Sequence, residues 1–240
     1  MGHASYVERP PVPALADRVQ SVWCLRVSES ASHTQRIVPD GCTDVISYDG
    51  HLLVAGPDTS YRLADMRPGL LTVGIRFRTG TAGVLFGDMP VSAVRDEQPL
   101  LGDLWGDRTA SELAERLATT DSPSHVLQDA VVARLSRVDA VDPVVVAAVG
   151  LFDTDRPPSV TDVAGRFGLS ERHFRRRFVH AVGYGPSTLV GVLRLGRTMR
   201  LLETRARATE IAAVAGYADQ PHMTRELRRL AGVTPGQLRR

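Results

Sequence analysis

Two stretches near the end of this 240-residue chain repeat one pattern of residues, and this repeat constrains the fold more than any other sequence feature. Residues 159–186 read SVTDVAGRFGLSERHFRRRFVHAVGYGP, and residues 207–235 read RATEIAAVAGYADQPHMTRELRRLAGVTP. Matching Thr, Ala and Gly recur at an offset of 48 residues, and matching His, Arg, Gly and Pro recur at an offset of 49. Such self-similarity predicts one supersecondary unit that is built twice.

Each stretch carries the signals of a helix-turn-helix. In the first, Ser159 and Ser170 are predicted helix caps, and Gly168 between them is predicted to end the first helix in the left-handed conformation. Phe174 and Phe178 lie four residues apart and are therefore predicted to face the core together. Three of the four arginines of RHFRRR, at positions 172, 175 and 176, are then left on the outer face.

The second stretch follows the same plan, with Asp219 as the predicted cap and Met223 and Leu227 on the buried side. Between the two stretches, residues 186–203 read PSTLVGVLRLGRTMRLLE, whose initial proline and apolar stripe predict a helix. A helix of this length spans about 27 Å. It could set two recognition helices about 34 Å apart, which is one turn of DNA.

Charge is divided unevenly along the chain. The formal net charge is +2, and all 29 basic residues are Arg. Residues 143–240 contain 16 Arg and 8 acidic residues, whereas residues 1–142 contain 13 Arg and 19 acidic residues. The basic part is expected to meet a polyanion, although a solvated basic surface without a partner has the same composition.

Residues 143–240 resemble the DNA-binding domain of AraC-type transcription regulators, through LSERHFRRRF, GYGPSTL, the linking helix and GYADQPHMTRELRRLAGVTP. The resemblance covers the whole stretch. Two cysteines are too few for a disulfide scaffold, so a cytoplasmic protein is expected. The resemblance implies a sequence-specific regulator whose two recognition helices read successive major grooves. It also implies promoter DNA and RNA polymerase as partners, and it leaves a homodimer open.

The family's base-facing positions can be carried over residue by residue: Arg172, Arg175 and Arg176 in the first recognition helix, and Gln220, Pro221, His222 and Arg225 in the second. Arginine can donate two hydrogen bonds to guanine, and glutamine can pair with adenine. Thr224 is expected at a phosphate. His222 is interpreted either as a base or phosphate contact or as a packing residue beneath the turn. Pro221 stands where the family commonly has a small hydroxyl residue, so one donor is lost.

Residues 1–105 are predicted to be rich in β-structure, because short apolar runs alternate with turn signals in VQSVWCLRV, QRIVPDG, TDVISYDGHLLVAG and GLLTVGIRF. From residue 109 the apolar spacing becomes helical, which predicts a helical connector over residues 106–142. The predicted fold class is therefore α+β, with an all-α domain over residues 143–240. The segment RIVPDGCTDVISYDG resembles an uncharacterised domain that precedes some AraC-type regulators, and this implies a barrel-like ligand or dimer domain.

The sequence leaves three interpretations of that first domain open: a sensor of a small molecule, a dimerisation or partner module, and a thiol-based redox sensor. The candidate effector-binding residues are Trp23, Arg36, Asp40, Asp44, Tyr48, Arg76 and Phe77. Buried arginines need a partner. Arg36 and Arg76 are therefore interpreted either as members of ion pairs with Asp40 or Asp44, or as receptors for an anionic effector.

Several kinds of site are not expected. Cys24 is predicted to be buried, and the acidic residues at positions 40 and 44 are predicted to raise the pKa of Cys42, which argues against redox sensing. The sequence contains no CxxC or HxxH pair and no GxSxG, HExxH or glycine-rich phosphate loop. We therefore expect no metal site, no cofactor and no catalytic residues. No apolar run reaches the length of a membrane span.

Overall fold

The computed structural model describes residues 4–29, 33–137, 140–204 and 206–238. It confirms the α+β class, with strands in the first part and helices in the second. The strands are β1 (Ala4–Arg9), β2 (Val19–Val27), β3 (His33–Ile37), β4 (Thr43–Tyr48), β5 (His51–Ala55), β6 (Arg62–Met66) and β7 (Leu71–Phe77). The helices are α1 (Leu101–Trp105), α2 (Asp107–Ala118), α3 (Pro123–Leu135), α4 (Pro143–Phe152), α5 (Val160–Arg166), α6 (Glu171–Val182), α7 (Pro186–Leu202), α8 (Ala208–Val214), α9 (Gln220–Ala231) and α10 (Pro235–Leu238).

The strands form two separate antiparallel sheets. Five of them follow the order β1-β2-β7-β4-β5, and β3 pairs only with β6. Because β3 and β6 pair with each other, no described strand joins the edges β1 and β5, and the sheet does not close. The expectation of a barrel-like domain is corrected to this arrangement of two facing sheets.

The two faces of the five-stranded sheet have different roles. One face carries a core that includes Val45, Ile75 and Phe77, all fully buried. Helices α2 and α3 cover this core, with Leu113 and Leu127 among the buried side chains. The segment predicted to be a connector thus packs as part of the first core. Alternate residues of the same strands point to the other face.

The hairpin between β4 and β5 forms at the predicted turn. Tyr48 pairs with His51, and the two turn residues between them have positive φ, 49° at Asp49 and 76° at Gly50. This conformation matches the right-handed twist of the strands and explains the Asp-Gly pair. The segment TAGVLFG forms a short 3-10 turn at Ala82–Leu85.

Two helix-turn-helix units, α5–α6 and α8–α9, are joined by the 17-residue helix α7. The predicted caps are present: the backbone N–H groups of Asp162, His173 and His222 donate to the side chains of Ser159, Ser170 and Asp219 at 3.1, 3.3 and 2.6 Å. Gly168 has a φ of 65°, as the turn requires.

The core of the first unit is aromatic. Phe174 and Phe178 are fully buried, and their ring centroids lie 5.6 Å apart. Both rings also contact Phe152 of α4, at 6.4 and 5.8 Å. This packing fixes the orientation of α6, so that its remaining faces are determined by the helical period.

Candidate nucleic-acid interface and sheet cavity

Helix α6 presents arginines on the side opposite its buried phenylalanines. Arg172, Arg175 and Arg176 are all exposed. The Nε of Arg175 lies 2.7 Å from a carboxylate oxygen of Glu171, one turn earlier. Arg172 and Arg176 have no ion-pair partner among the described residues. Two guanidinium groups on this helix are therefore available to a polyanion without the loss of an existing contact.

Arg177, on the flank of α6, is held by Asp142 at the start of α4. Its Nε and Nη2 donate to the two carboxylate oxygens at 2.8 and 2.7 Å. The same carboxylate accepts hydrogen bonds from the N–H groups of Val144 and Val145. Burial by itself raises the pKa of Asp142, but the Arg177 guanidinium and these N–H groups lower it overall. This contact fixes α6 against α4.

Helix α9 has a comparable outer face. Gln220, Pro221 and Arg225 are exposed, and Arg225 has no ion-pair partner among the described residues. Further along the helix, Arg229 is bound by Glu226, with two N–O distances of 3.1 and 2.8 Å. The predicted base-facing side chains of α9 thus lie in its first half, next to the turn.

His222 and Thr224 are half-buried on α9 and already have partners. The Nδ1 of His222 accepts the N–H of Ala218 at 3.4 Å, and its ring meets Tyr217 edge-on at 5.4 Å. The hydroxyl of Thr224 donates to the Gln220 carbonyl oxygen at 3.0 Å. For His222, these contacts support packing beneath the turn, which is one of its two interpretations.

The two recognition helices end on glycines that are equivalent in the repeat and that dock on one segment of the first domain. A Cβ at Gly183 would lie 2.6 Å from Pro57, and a Cβ at Gly232 would lie 2.3 Å from the Tyr61 ring. Both glycines have positive φ, 92° and 67°. We call residues 56–61, between β5 and β6, the docking loop. Neither contact could be inferred from the repeat alone.

A third contact joins the same region. Nη1 of Arg36, on β3, donates to the backbone oxygen of Ala231 at the end of α9, at 3.1 Å. The Arg36 guanidinium also lies over the Tyr61 ring, 4.8 Å from its centroid. Within the docking loop, Thr59 is held by Asp96 through its backbone N–H and its hydroxyl. The loop is therefore anchored on the first domain and packed against the second.

The second face of the five-stranded sheet and the β3–β6 sheet enclose a cavity of about 640 Å³. Six of the seven predicted effector residues line it: Trp23, Arg36, Asp40, Asp44, Tyr48 and Arg76. Phe77 does not, because strand alternation turns it to the opposite face, where it is fully buried in the core. The docking loop also lines the cavity, through Gly56 and Asp58.

Arg76 is the centre of a charge cluster on the cavity floor. It makes a bidentate contact with Asp44, with both N–O distances 3.2 Å, and it lies 3.3 Å from Glu8 and 3.5 Å from Asp40. Burial lowers the pKa of Arg76, but the neighbouring carboxylates more than reverse this. Burial also raises the pKa of Asp44, to about 6. The ion pair that was one of the two interpretations of Arg76 is thus present, with both aspartates as partners and Glu8 as a third carboxylate that the sequence did not indicate.

Trp23 forms an aromatic wall of the cavity. Its ring lies on Gly74 of the neighbouring strand, where a Cβ would come within 2.2 Å of the indole. The Tyr6 ring centroid is 6.0 Å away. The Trp23 side chain is buried, and its indole N–H lies close enough to the Asp44 carboxylate to lower the pKa of that carboxyl, although it does not form a well-aligned hydrogen bond with it.

Both cysteines are free thiols. Cys42 is buried, and burial, followed by Asp40 and Asp44, raises its pKa well above the usual range, as the sequence predicted. Burial also raises the pKa of Cys24, which is half-buried rather than fully buried. Raised thiol pKa values disfavour the reactive thiolate and do not support a redox sensor.

Other site classes find no support in the described ranges. Among those residues, no group of three or more His, Cys, Asp or Glu side chains could hold a metal ion. None of the described helices has the length and apolar composition needed to cross a membrane.

Comparison with known proteins identifies both parts of the chain. Residues 163–240 match a family model described as a helix-turn-helix domain, and residues 7–99 match one described as a domain of unknown function, DUF6597. No curated protein matches.

Several solved structures are similar. An AraC-type DNA-binding transcriptional regulator from Chromobacterium violaceum is 31% identical, over 40% of this chain and 89% of that chain, with a TM-score of 0.39. The DNA-binding domain of AdpA, solved with a target DNA, is 31% identical over 41% of this chain and 90% of that chain, with a TM-score of 0.35. ToxT from Vibrio cholerae is 11% identical over 86% of this chain and 96% of that chain, with a TM-score of 0.46.

The Asp142–Arg177 pair makes a prediction about pH. Replacing Asp142 with Asn keeps a helix-capping side chain but removes the charge, and should destabilise the chain by about 1 kcal/mol at pH 7. Because the folded-state pKa of Asp142 is lowered, its contribution is present above the ordinary pKa of an aspartate. It is lost as the pH falls through the folded-state value. Urea unfolding of both proteins at several pH values measures this, and a difference that stays constant down to pH 2 would contradict it.

Proposed function

The chain belongs to the family of AraC-type transcription regulators, and from this membership we propose that α6 and α9 enter successive major grooves of promoter DNA. The chain is a non-enzymatic DNA-binding regulator. The observation that carries the proposal is the pair of exposed, arginine-bearing helices at the two ends of α7. Its 17 residues span about 25 Å, which is compatible with recognition helices about one DNA turn apart.

Four side chains on the two helices are exposed and have no ion-pair partner among the described residues, as contact with a base requires. Arg172 and Arg176 on α6, and Gln220 and Arg225 on α9, are exposed and lie in the first half of their helices. Arg176 and Arg225 occupy equivalent places in the repeat. We assign them to bases, since arginine can donate two hydrogen bonds to guanine. Arg175 would have to leave Glu171 to do the same, so it is assigned to the phosphate backbone.

We propose in addition that the cavity of the first domain binds a small-molecule effector. Its volume of about 640 Å³ falls within the range of small-molecule sites, about 300–1,000 Å³. It combines apolar and aromatic walls with a few charged groups, which is the usual composition of such sites. Neither a homodimer nor contact with RNA polymerase is needed for this proposal.

The docking loop provides a route from the cavity to the DNA. It lines the cavity at Asp58 and touches the ends of both recognition helices, through Pro57 at Gly183 and Tyr61 at Gly232. An effector that binds more tightly to one position of this loop would shift the balance between two orientations of the recognition helices. Arg36 adds a second connection, because it lines the cavity and bonds to Ala231.

The assignment of bases can be tested on the two equivalent arginines. Arg176→Ala and Arg225→Ala should each cost about 1–3 kcal/mol in DNA binding and relax the preference at one base position. Arg108→Ala, which removes an exposed arginine from α2, serves as the matched control and should leave binding unchanged. Selection of bound sequences from a random DNA pool gives the readout. Uniform weakening at every sequence would show that these arginines contact only phosphates.

The docking loop can be tested without knowing the effector. Tyr61→Ala should remove the packing against Gly232, and so increase hydrogen exchange of the last amides of α9 while those of α6 change little. Leu100→Ala, at a similarly exposed apolar side chain of the first domain, should change neither helix. Equal exchange of α9 in Tyr61→Ala and the wild type would mean that the loop does not hold the second unit.

A further inference from the structure

We propose that the cavity of the first domain binds an organic cation, an amine carried on a flat apolar body, and discriminates against organic anions. This inference rests on the proposed sensing function and names the chemical class of its effector. It reverses one interpretation that the sequence left open, in which Arg36 and Arg76 receive an anion.

The first argument for a cation is the net charge of the cavity lining, which is negative. Five carboxylates face three guanidinium groups: Glu8, Asp40, Asp44, Asp58 and Asp65 against Arg36, Arg62 and Arg76. The lining therefore has an excess of two carboxylates. The Asp58–Arg62 pair, 3.3 Å apart, is balanced, so the excess is concentrated around Arg76. A cavity whose lining carries one sign of charge attracts ligands of the opposite sign.

Neither arginine that could receive an anion is free. The Arg76 guanidinium contacts three carboxylates, all within 3.5 Å. An incoming anion would displace one of them or lie beside the others, and like charges brought together cost several kcal/mol. Arg36 donates one hydrogen bond to the Ala231 carbonyl and lies over the Tyr61 ring, so an anion would have to compete with both contacts for its guanidinium. The carboxylates, by contrast, have oxygen atoms left to accept hydrogen bonds from an ammonium group.

The walls of the cavity fit the part of such a ligand that lies beyond its ammonium group. Trp23 and Tyr6 present aromatic rings beside Asp44 and Glu8, and aromatic faces attract cations. Apolar side chains complete the lining, with Leu25, Ile46 and Leu53 among them. The ligand body is therefore expected to be apolar and flat.

The Trp23 indole N–H adds no binding group to the cavity. Its nitrogen is fully buried and lies next to the Asp44 carboxylate, so a ligand in the cavity does not reach it. The ligand class is thus an amine on an apolar body.

Matched probes separate charge from shape. Thermal unfolding of the full chain would be followed with tryptamine against indole-3-propionate, and with hexylamine against hexanoate, each at about 1 mM, where weak binding is readable. Both amines should raise the unfolding temperature, tryptamine more than hexylamine because its ring is flat, and both carboxylates should leave it unchanged. Asp44→Asn and Glu8→Gln should each weaken amine binding about tenfold or more. Glu115→Gln, on an exposed face of α2 outside the cavity, is the control.

The results of these experiments decide whether the effector is an organic cation. Stabilisation by the carboxylates, no stabilisation by either amine, or amine binding unaffected by both cavity variants would overturn the cation assignment. Glu8 is partly exposed at the β1 edge, so Glu8→Gln remains informative if Asp44→Asn fails to fold. DNA affinity, measured with each probe present, separates the two proposals. If the carboxylates bind and change the affinity for DNA, the first domain is a sensor but its effector is not a cation. If the amines bind and the affinity for DNA does not change, the cavity binds cations but the domain is not a sensor.

Discussion

The packing of two left-handed glycines against one loop is the constraint on which the rest of the structure depends. Gly183 and Gly232 end the two recognition helices, and each leaves no room for a side chain next to Pro57 or Tyr61. A helix that ends on glycine brings its backbone close to a neighbour, and here both neighbours belong to the same short segment. The orientation of each recognition helix is therefore tied to the first domain and not only to its own helix-turn-helix core.

The cavity lies on the other side of that segment, and its electrostatics follow from strand pairing. The register of β2, β7 and β4 aligns Trp23 with Gly74 and Asp44 with Arg76, so one sheet face carries both an indole and an ion pair. The edge strand β1 adds Glu8, which gives Arg76 a third carboxylate. Three carboxylates around one guanidinium leave an excess of negative charge. This charge lies in a partly enclosed space, where electrostatic interactions are stronger than in water. The sheet face that carries this ion pair is thus also the face on which the proposed preference for cations rests.

Helix caps and turns could be predicted from residues that are close in the sequence. The features that could not be predicted depend on contacts between residues far apart in the sequence. The helix caps and the Asp49-Gly50 turn depend on neighbours in the sequence, and the structure has them where the residues indicated. Strands β1 and β6 lack an apolar alternation because most of their side chains are exposed or half-buried, so nothing in the sequence marked them. For that reason Glu8 was absent from the predicted site. Strand alternation could have excluded Phe77, since it shares a face with Ile75 rather than with Arg76. The contacts of Gly183 and Gly232 with the docking loop have no local signal.

The most direct measurement of how this chain reads DNA is the spacing dependence of its binding site. Sites selected by the full chain from random DNA should contain two short conserved segments whose centres are about one helical turn, or 10 base pairs, apart. An insertion of about five base pairs between them turns one segment to the opposite side of the duplex, and binding should fall close to that of a single segment. Insertion of a full turn should not restore it, because α7 is a rigid helix of fixed length. Affinity that is indifferent to the insertion would show that only one of the two helix-turn-helix units reads DNA.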